Sequence, residues 1–360
     1  RTIVRMSFVF RHRSSVRMNL RRLLTFGFSL AITAIFLGIA LYRVDLNQLL
    51  SSLATADYRL VALGMVCVFA SYLLRTARWQ RFLRPTKQIP IPRLFPVLVV
   101  GFALNNLLPG RPGELARPYW LGARENISKT LGLATIIVER VADGIALIAF
   151  LLIALLAFTP LKIDLPPAAE TIALAATILF GVALAGLLFL LVREQLALSI
   201  FKFFARFLPH HLAARLEKML GSFIVGLHSL KSTRDVAAIV ILSLSIWLVE
   251  STLYFLMLSA FNALPDTADH AVASVFMMVL INLGVMIPAA PGGVGPYEAA
   301  AIFALSAFGV DATLAATVAL ASHAISYIII TGMGLFFIWH AGMSLAQASG
   351  DKTEAEIEGT

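Results

Sequence analysis

The segment LGLATIIVERVADGIALIAFLLIALLAF, at residues 131–158, decides the fold class of this chain. Its 28 residues include only three charged side chains, those of Glu139, Arg140 and Asp143. A helix rises about 1.5 Å per residue, so this segment is long enough to cross a hydrocarbon core of about 30 Å. Because backbone polar groups in lipid must be satisfied within the segment, we predict a membrane-spanning helix.

Five further apolar runs extend this prediction along the chain. Four have spanning length: Leu23–Tyr42, Thr171–Val192, Val236–Ala260 and Leu314–Ala341. The fifth, Arg59–Leu74, is shorter, and we expect it to continue through Arg75, Arg78 and Trp79, with side chains that reach the membrane interface. Alternating ten-residue strands are absent from the sequence, which excludes a membrane β-barrel. The predicted fold is therefore all-α and polytopic, with about six full spans.

The composition agrees with a membrane protein and excludes a soluble enzyme. Hydrophobic residues make up 59% of the 360 residues and charged residues 14%, whereas soluble domains have about half and about a quarter. The first apolar run, at about 20 residues, is longer than the h-region of a signal peptide, so we expect no secretory cleavage. Cys67 is the only cysteine, which excludes an internal disulfide and a thiolate metal site.

The net charge of +9 has a distribution typical of the positive-inside rule. Lysines and arginines concentrate in residues 1–22, after the second apolar run, and in residues 193–235, whereas the other connections are neutral or acidic. This pattern places both termini in the cytoplasm. It also argues against nucleic acid as a partner, because no soluble basic domain is present.

Two apolar segments end abnormally early. Leu94–Leu108 runs into Pro109-Gly110-Arg111-Pro112-Gly113-Glu114, and Val272–Ile287 runs into Pro288-Ala289-Ala290-Pro291-Gly292-Gly293-Val294-Gly295-Pro296-Tyr297-Glu298. Prolines and glycines at this density stop a helix. A second short arm follows each break, at Leu115–Leu121 and Ala299–Phe308. We predict two re-entrant hairpins, at about residues 94–122 and 272–308, with irregular tips buried in protein.

Counting membrane crossings gives each half of the chain the order span, span, hairpin, span, in opposite orientations. Inverted repeats with interrupted helices are typical of transporters, with the substrate site where the broken elements meet. The predicted organisation is a basic arm (1–22), a first repeat (23–158), a loop and span (159–192), a basic amphipathic segment (193–235), the rest of the second repeat (236–341) and an acidic tail (342–360). Segment 193–235 is either a helix in the cytoplasmic interface or a packed cytoplasmic helical hairpin.

Charged residues at membrane depth are the candidate binding residues, because each costs about 2.5–3.5 kcal/mol on insertion scales. Arg111, Arg117 and Arg140 would bind a lipid phosphate through their guanidinium groups. Acidic residues would orient them or contact a cationic headgroup: Glu114, Glu139, Asp143, Glu250 and Glu298. Free backbone N–H groups at the starts of the short helices would add anion binding. The predicted hairpin tips comprise Pro109, Gly110, Gly113, Pro291, Gly292, Gly293 and Gly295.

Structural roles stay open for the same residues. The charges could form intramembrane salt bridges, and Glu298 could cap the helix after Pro296. His323 is a candidate for proton coupling, although a single intramembrane histidine often only bonds a neighbouring helix.

Three strings carry a family resemblance: Asn105-Asn106-Leu107-Leu108-Pro109-Gly110-Arg111-Pro112-Gly113-Glu114-Leu115-Ala116-Arg117, then Glu139-Arg140-Val141-Ala142-Asp143, then Pro291–Glu298. Over Leu23–Ala341 the chain resembles the lysylphosphatidylglycerol synthase transmembrane-region family, the flippase-type membrane domain of multiple peptide resistance factors and their stand-alone relatives. The resemblance implies a bacterial or archaeal cytoplasmic (inner) membrane protein that moves a phospholipid or lipid-linked headgroup between leaflets. The large soluble aminoacyl-transfer domain of the lysyl-lipid proteins is not in this sequence, so synthase activity is not expected.

The leading hypothesis is thus a lipid flippase or scramblase-like transporter rather than an enzyme. Its expected partners are membrane lipids with anionic or lipid-linked headgroups, with a homo-oligomer or a separate lipid-synthesising enzyme as further candidates. One alternative is an intramembrane lipid-modifying transferase with Glu139 or Asp143 as base. Another is an ion-coupled carrier of a small anion. No phosphate-binding P-loop and no metal-ligand motif occur in the sequence, so we expect neither cofactor nor metal.

Overall fold

The computed structural model describes residues 44–161, 192–207, 232–286 and 291–341, together with separate positions between 27 and 42, 171 and 189, and 209 and 224. The basic arm, the acidic tail, most of the runs Leu23–Tyr42 and Thr171–Val192, and most of the amphipathic segment after residue 207 lie outside the described residues. The predictions for those parts stay predictions.

The regular elements in the described ranges are helices, which confirms the all-helical class. In chain order they are α1 (Leu46–Thr55), α2 (Tyr58–Leu83), α3 (Ile91–Leu107), α4 (Gly113–Glu125), α5 (Lys129–Leu161), α6 (Glu194–Ala205), α7 (Thr233–Ala260), α8 (Thr267–Gly284), α9 (Pro296–Ser306) and α10 (Ala312–His340), with a short 3-10 turn at Pro291–Gly293. Among the described residues five helices are long and apolar enough to cross a membrane: α2, α5, α7, α8 and α10.

Capping side chains set where several helices begin. Asp45, Asp57, Ser232 and Asp311 precede α1, α2, α7 and α10, and each accepts a hydrogen bond from a backbone N–H of the first turn. Such side chains satisfy N–H groups that have no partner within the helix. The polar residues between the apolar runs therefore fix the helix ends.

The two predicted helix breaks are present. α3 ends at Leu107, and α4 then folds back on it, with the Asn105 Oδ1 accepting a hydrogen bond from the Gly113 N–H at 2.8 Å. A Cβ on Gly113 would overlap the Gly101 carbonyl oxygen, so only glycine permits this approach. In the second pair, Gly284 of α8 packs on Pro296 and Ala300 of α9.

The arms differ in length from the prediction, and α4 has 13 residues where the predicted arm Leu115–Leu121 has seven. α8 begins at Thr267, whereas the predicted arm begins at Val272, and its 18 residues are enough to cross a membrane. The added turn carries Asp269 and His270, which interrupt the apolar pattern that we used to place the arm. The re-entrant character of both helix pairs therefore stays a prediction.

The outer surface of the long helices is apolar, as a lipid-facing surface must be. Large exposed hydrophobic side chains include Leu63, Val66, Leu152, Ile153, Leu156 and Ile328. Polar groups are instead gathered inside, where α2 packs on α7 and α3 packs on α10. The Tyr327 hydroxyl of α10 donates to the Asn106 carbonyl at the end of α3, at 3.0 Å.

Two glycines of α10 provide a test of this packing. A Cβ at Gly334 would meet the Ala103 side chain of α3, whereas one at Gly332 would meet nothing within 4 Å. We expect Gly334→Ala to lower the free energy of unfolding by about 1–3 kcal/mol through overpacking. Gly332→Ala should raise it by up to about 1 kcal/mol, because alanine favours the helix. Denaturant unfolding of both variants in detergent measures the two free energies of unfolding. Changes of the same sign and size would contradict this packing.

Candidate functional site

A cavity of about 510 Å³ with charged and polar side chains in its wall lies between the two helix breaks. α2, α5, α7, α8 and α10 contribute to its wall, together with the end of α3 and the start of α4. Its charged lining residues are Arg75, Arg111, Glu114, Arg140, Asp143 and Glu250, and its polar ones include Asn105, Asn106, Trp247, Tyr254, Asn282, Tyr297, His323, Ser326 and Tyr327. A volume of this size is typical of small-molecule sites.

An ion pair between α2 and α7 forms one part of the wall. The Arg75 Nη2 donates to the Glu250 Oε2 at 2.5 Å. Asn282 of α8 donates to the other carboxylate oxygen of Glu250 at 3.1 Å. The Arg75 guanidinium also lies over the Trp247 ring, 5.0 Å from its centroid. These contacts hold Arg75, which is 6% exposed, inside the protein.

Beneath the cavity lies a fully buried set of charges. Arg78 is 0% exposed and donates to the Asp143 Oδ1 at 2.7 Å. Arg117 of α4 forms a two-pronged pair with Glu139 of α5, at 3.0 and 3.3 Å, and its guanidinium lies 4.3 Å from the Trp79 ring centroid. Paired guanidinium and carboxylate planes are the geometry that stabilises buried charges best. This pair ties the second arm of the first helix pair to α5.

Arg140 differs from these arginines because it faces the cavity. Its Nη2 donates to Glu139 at 2.8 Å and lies 3.5 Å from Asp143, yet 39% of its side chain is exposed. Its Nε has no hydrogen-bond partner, and neither does the Trp247 Nε1 in the same wall. The exposed part of the Arg140 guanidinium side chain gives this wall a positive group that suits an anionic ligand.

The tip of the first helix pair carries backbone strain. Arg111 has a φ of 54°, and the preceding Gly110 has a φ of 79°. A non-glycine residue in this left-handed region is uncommon and often marks a functional position. The Arg111 side chain donates to the Val285 carbonyl at the end of α8, so it bridges the two helix breaks.

The second tip is held by α10. The His323 Nδ1 lies 2.6 Å from the Glu298 Oε1, and its Nε2 lies 3.1 Å from the Gly292 carbonyl oxygen. The other Glu298 oxygen accepts from the Gly295 N–H at 2.7 Å, as the sequence allowed for a helix cap. The Tyr297 ring stacks on His323 with ring centroids 4.1 Å apart.

The structure gathers the sequence-predicted residues at this one place but gives them different positions. Arg111, Glu114, Arg140, Asp143 and Glu250 line the cavity, as do Gly110, Gly292 and Gly293 at the tips. Arg117 and Glu139 lie beneath it, and Glu298 lies behind His323. α5 begins at Lys129, so Glu139 and Arg140 are well inside a helix rather than at its start.

The expectation for Arg75 and Arg78 was wrong. We expected side chains that reach the interface, but both are buried and paired with acids on α5 and α7. Their i, i+3 spacing places them on one helix face, but Arg81 continues the same spacing and is 35% exposed, so the spacing does not distinguish buried arginines from exposed ones. Trp247 and Asn282 gave no signal either.

The fold and the site together define a polytopic α-helical membrane protein with a cavity that is lined by charged residues and lies between interrupted helices. Residues 27–334 match the family model described as the lysylphosphatidylglycerol synthase TM region, and the chain belongs to this family. It is 28% identical to a UPF0104 membrane protein of Methanothermobacter thermautotrophicus, over 90% of this chain and 97% of that one. It is 30% identical to UPF0104 membrane protein MJ1078 of Methanocaldococcus jannaschii, over 65% and 93%.

A third relative, named glycosyltransferase AglD, comes from Haloferax volcanii. It is 26% identical over 92% of this chain, but the chain spans only 57% of that protein's length. A large part of that relative therefore has no counterpart in the match.

Proposed function

We propose that this protein is a lipid flippase or scramblase-like transporter that moves a phospholipid or lipid-linked headgroup between leaflets. The observation that carries the proposal is the charged cavity of about 510 Å³ inside helices whose outer surface is apolar. Charges at membrane depth are costly and mark substrate pathways more often than they serve stability alone. A headgroup in the cavity would leave its acyl chains in the bilayer.

Two features of the lining favour a phosphate-bearing headgroup. Arg140 lines the cavity with 39% of its side chain exposed, and Arg111 stands at the strained tip. Guanidinium groups match phosphate oxygens in shape and charge. The carboxylate of Glu114 lines the same cavity and makes no ion pair within the described residues, so it is free to accept from an amine or a hydroxyl of the headgroup.

The interrupted helices supply a route for alternating access. Arg111 of the first tip bonds the end of α8, and Tyr327 bonds the end of α3, so the two breaks close over one cavity. Movement of one helix pair against the other would open the cavity on either side.

An intramembrane transferase is the second candidate, because one relative is named a glycosyltransferase. That name belongs to a protein of which this chain spans 57%, so the named activity could reside in the unmatched part. A lipid-linked sugar is a cargo consistent with either role. Formation of a new lipid product by the purified protein would favour the enzyme.

The test uses purified protein in liposomes that carry headgroup-labelled anionic lipids in one leaflet. We expect wild type to move the label faster than protein-free vesicles do, and Arg140→Ala to slow the movement by about tenfold or more, as the loss of a charged hydrogen bond predicts. Arg59→Ala, at an exposed arginine of the same chain, is the matched control and should keep the wild-type rate. If no headgroup changes leaflet faster than in empty vesicles, with or without a proton gradient, the transport proposal fails.

A further inference from the structure

Glu298 and His323 form a buried pair whose hydrogen bonds can be counted. Glu298 is 2% exposed and His323 is 8% exposed. The imidazole makes two contacts, through Nδ1 to the Glu298 Oε1 at 2.6 Å and through Nε2 to the Gly292 carbonyl oxygen at 3.1 Å. The second contact joins α10 to the second tip.

The number of available protons decides whether both contacts can exist. A carbonyl oxygen only accepts, so the Nε2 must carry a hydrogen to bond Gly292. An ionised carboxylate also only accepts, so the Nδ1 contact needs a hydrogen of its own. A neutral imidazole has one N–H, so beside an ionised Glu298 it satisfies one contact and leaves two lone pairs facing each other at the other.

We infer that Glu298 and His323 share one extra proton that latches the second tip in the closed position. The proton lies between the Nδ1 and the Oε1, and the Nε2–H then donates to Gly292. The shared proton and its link to Gly292 are inferred from the geometry of the pair. The coupling of lipid movement to release of this proton rests, in addition, on the proposed function above. When the proton leaves, one of the two contacts is lost and the tie to Gly292 weakens.

The surroundings of the pair allow the proton to leave. His323 lines the cavity, so a proton can pass to the cavity interior. On the packed elements, the ionisable groups near the pair are Tyr297 of α9, Tyr254 and Glu250 of α7, Arg75 of α2, Arg111 at the first tip and Tyr327 of α10. Glu250 is bound by Arg75 and Asn282, and Tyr297 bonds Ser322 and Tyr254, so these groups have other partners.

Protonation of the Glu298–His323 pair and closure of the second tip are then thermodynamically linked, so each favours the other. Conditions that remove the proton open the tip, and movements that open the tip release the proton. One proton released on opening changes the ratio of open to closed protein by up to about tenfold per pH unit. Because the closed state holds the extra proton, the open fraction rises as the pH rises.

Glu298→Gln isolates the role of the proton. A glutamine amide can donate to the Nδ1 and accept from the Gly295 N–H, while the neutral Nε2–H still donates to Gly292. This variant keeps every contact with a neutral imidazole and no shared proton, so it should stay closed as the pH rises. Glu298→Ala removes the contact and should be open at all pH values.

Cys67 supplies a readout that needs no lipid movement. It is the only cysteine of the chain and it lines the cavity. We would measure the rate at which a membrane-impermeant maleimide labels Cys67 in liposomes from acid to alkaline pH. The ratio of the wild-type rate to the Glu298→Gln rate cancels the ionisation of the thiol itself.

We expect this ratio to rise with pH by several-fold, and Glu298→Ala to label fast throughout. A ratio that is flat with pH overturns the latch. If Glu298→Gln fails to fold, nitrogen NMR of histidine-labelled wild type tests the latch instead. The His323 ring must lose its second proton over the pH range in which labelling of Cys67 accelerates. An unchanged His323 signal overturns the latch. A pH-dependent ratio without lipid movement overturns only the proposed function, whereas a flat ratio with lipid movement overturns only the latch.

Discussion

Glu139→Gln is expected to lower the free energy of unfolding by about 3–5 kcal/mol, the usual cost of removing one partner of a buried ion pair. Glu139 is 0% exposed and accepts from Arg117 and Arg140, with Arg78 at 3.9 Å. The glutamine keeps the side-chain volume, so the loss would arise from charge. Arg78 and Arg140 would keep Asp143, whereas Arg117 would lose the one acid with which it pairs among the described residues.

Glu217→Ala is the matched control for this prediction. Glu217 pairs with Lys202 at 3.3 Å, but both side chains are at least half exposed. Exposed pairs contribute about 0–1 kcal/mol. Denaturant unfolding in detergent, followed by helical circular dichroism, measures both variants. Equal losses for Glu139→Gln and Glu217→Ala would contradict the buried network.

Arg111→Gly is expected to slow lipid movement strongly while changing the free energy of unfolding little. The substitution removes the side chain that bridges to Val285 and lines the cavity, and a charged hydrogen bond is worth about 1.5–3 kcal/mol. Lipid movement should therefore slow by about tenfold to a hundredfold. The same change relieves a left-handed residue, which costs about 1–2 kcal/mol without glycine, so the protein should lose little stability.

The headgroup assay in liposomes measures the first effect, and unfolding in detergent measures the second. Arg111→Lys keeps the charge and the strain but not the planar fork of donors, so it should transport at an intermediate rate. Full transport by Arg111→Gly would show that the first tip takes no part in moving the headgroup.

Helix class and helix breaks could be predicted because they depend on local sequence. Runs such as residues 131–158 have one physical solution in lipid, and the close succession of prolines and glycines at residues 109–113 favours a helix break. The length of α8 was underestimated because Asp269 and His270 interrupt its apolar pattern, although His270 is buried.

The pairing of charges could not be predicted, because it depends on how helices distant in sequence pack together. Arg75 and Glu250 are 175 residues apart, and nothing local distinguishes this partner from Asp143. Near a helix end, an arginine that reaches water and an arginine that bonds a neighbouring helix have the same sequence pattern. The acids were identified as candidates because they lie well inside apolar runs or at the helix breaks, whereas Arg75 and Arg78 stand near the end of a run.

The central claim is that a lipid headgroup occupies the cavity between the two helix breaks. The most direct measurement is cross-linking in liposomes with a phospholipid that carries a photoreactive group on its headgroup, followed by mass spectrometry of the labelled peptides. We expect labels on cavity residues of α2 and α8, such as Tyr72 and Asn282, which disappear when Arg140 is replaced by alanine. Labels found only on outward-facing positions, and unchanged by that replacement, would contradict it.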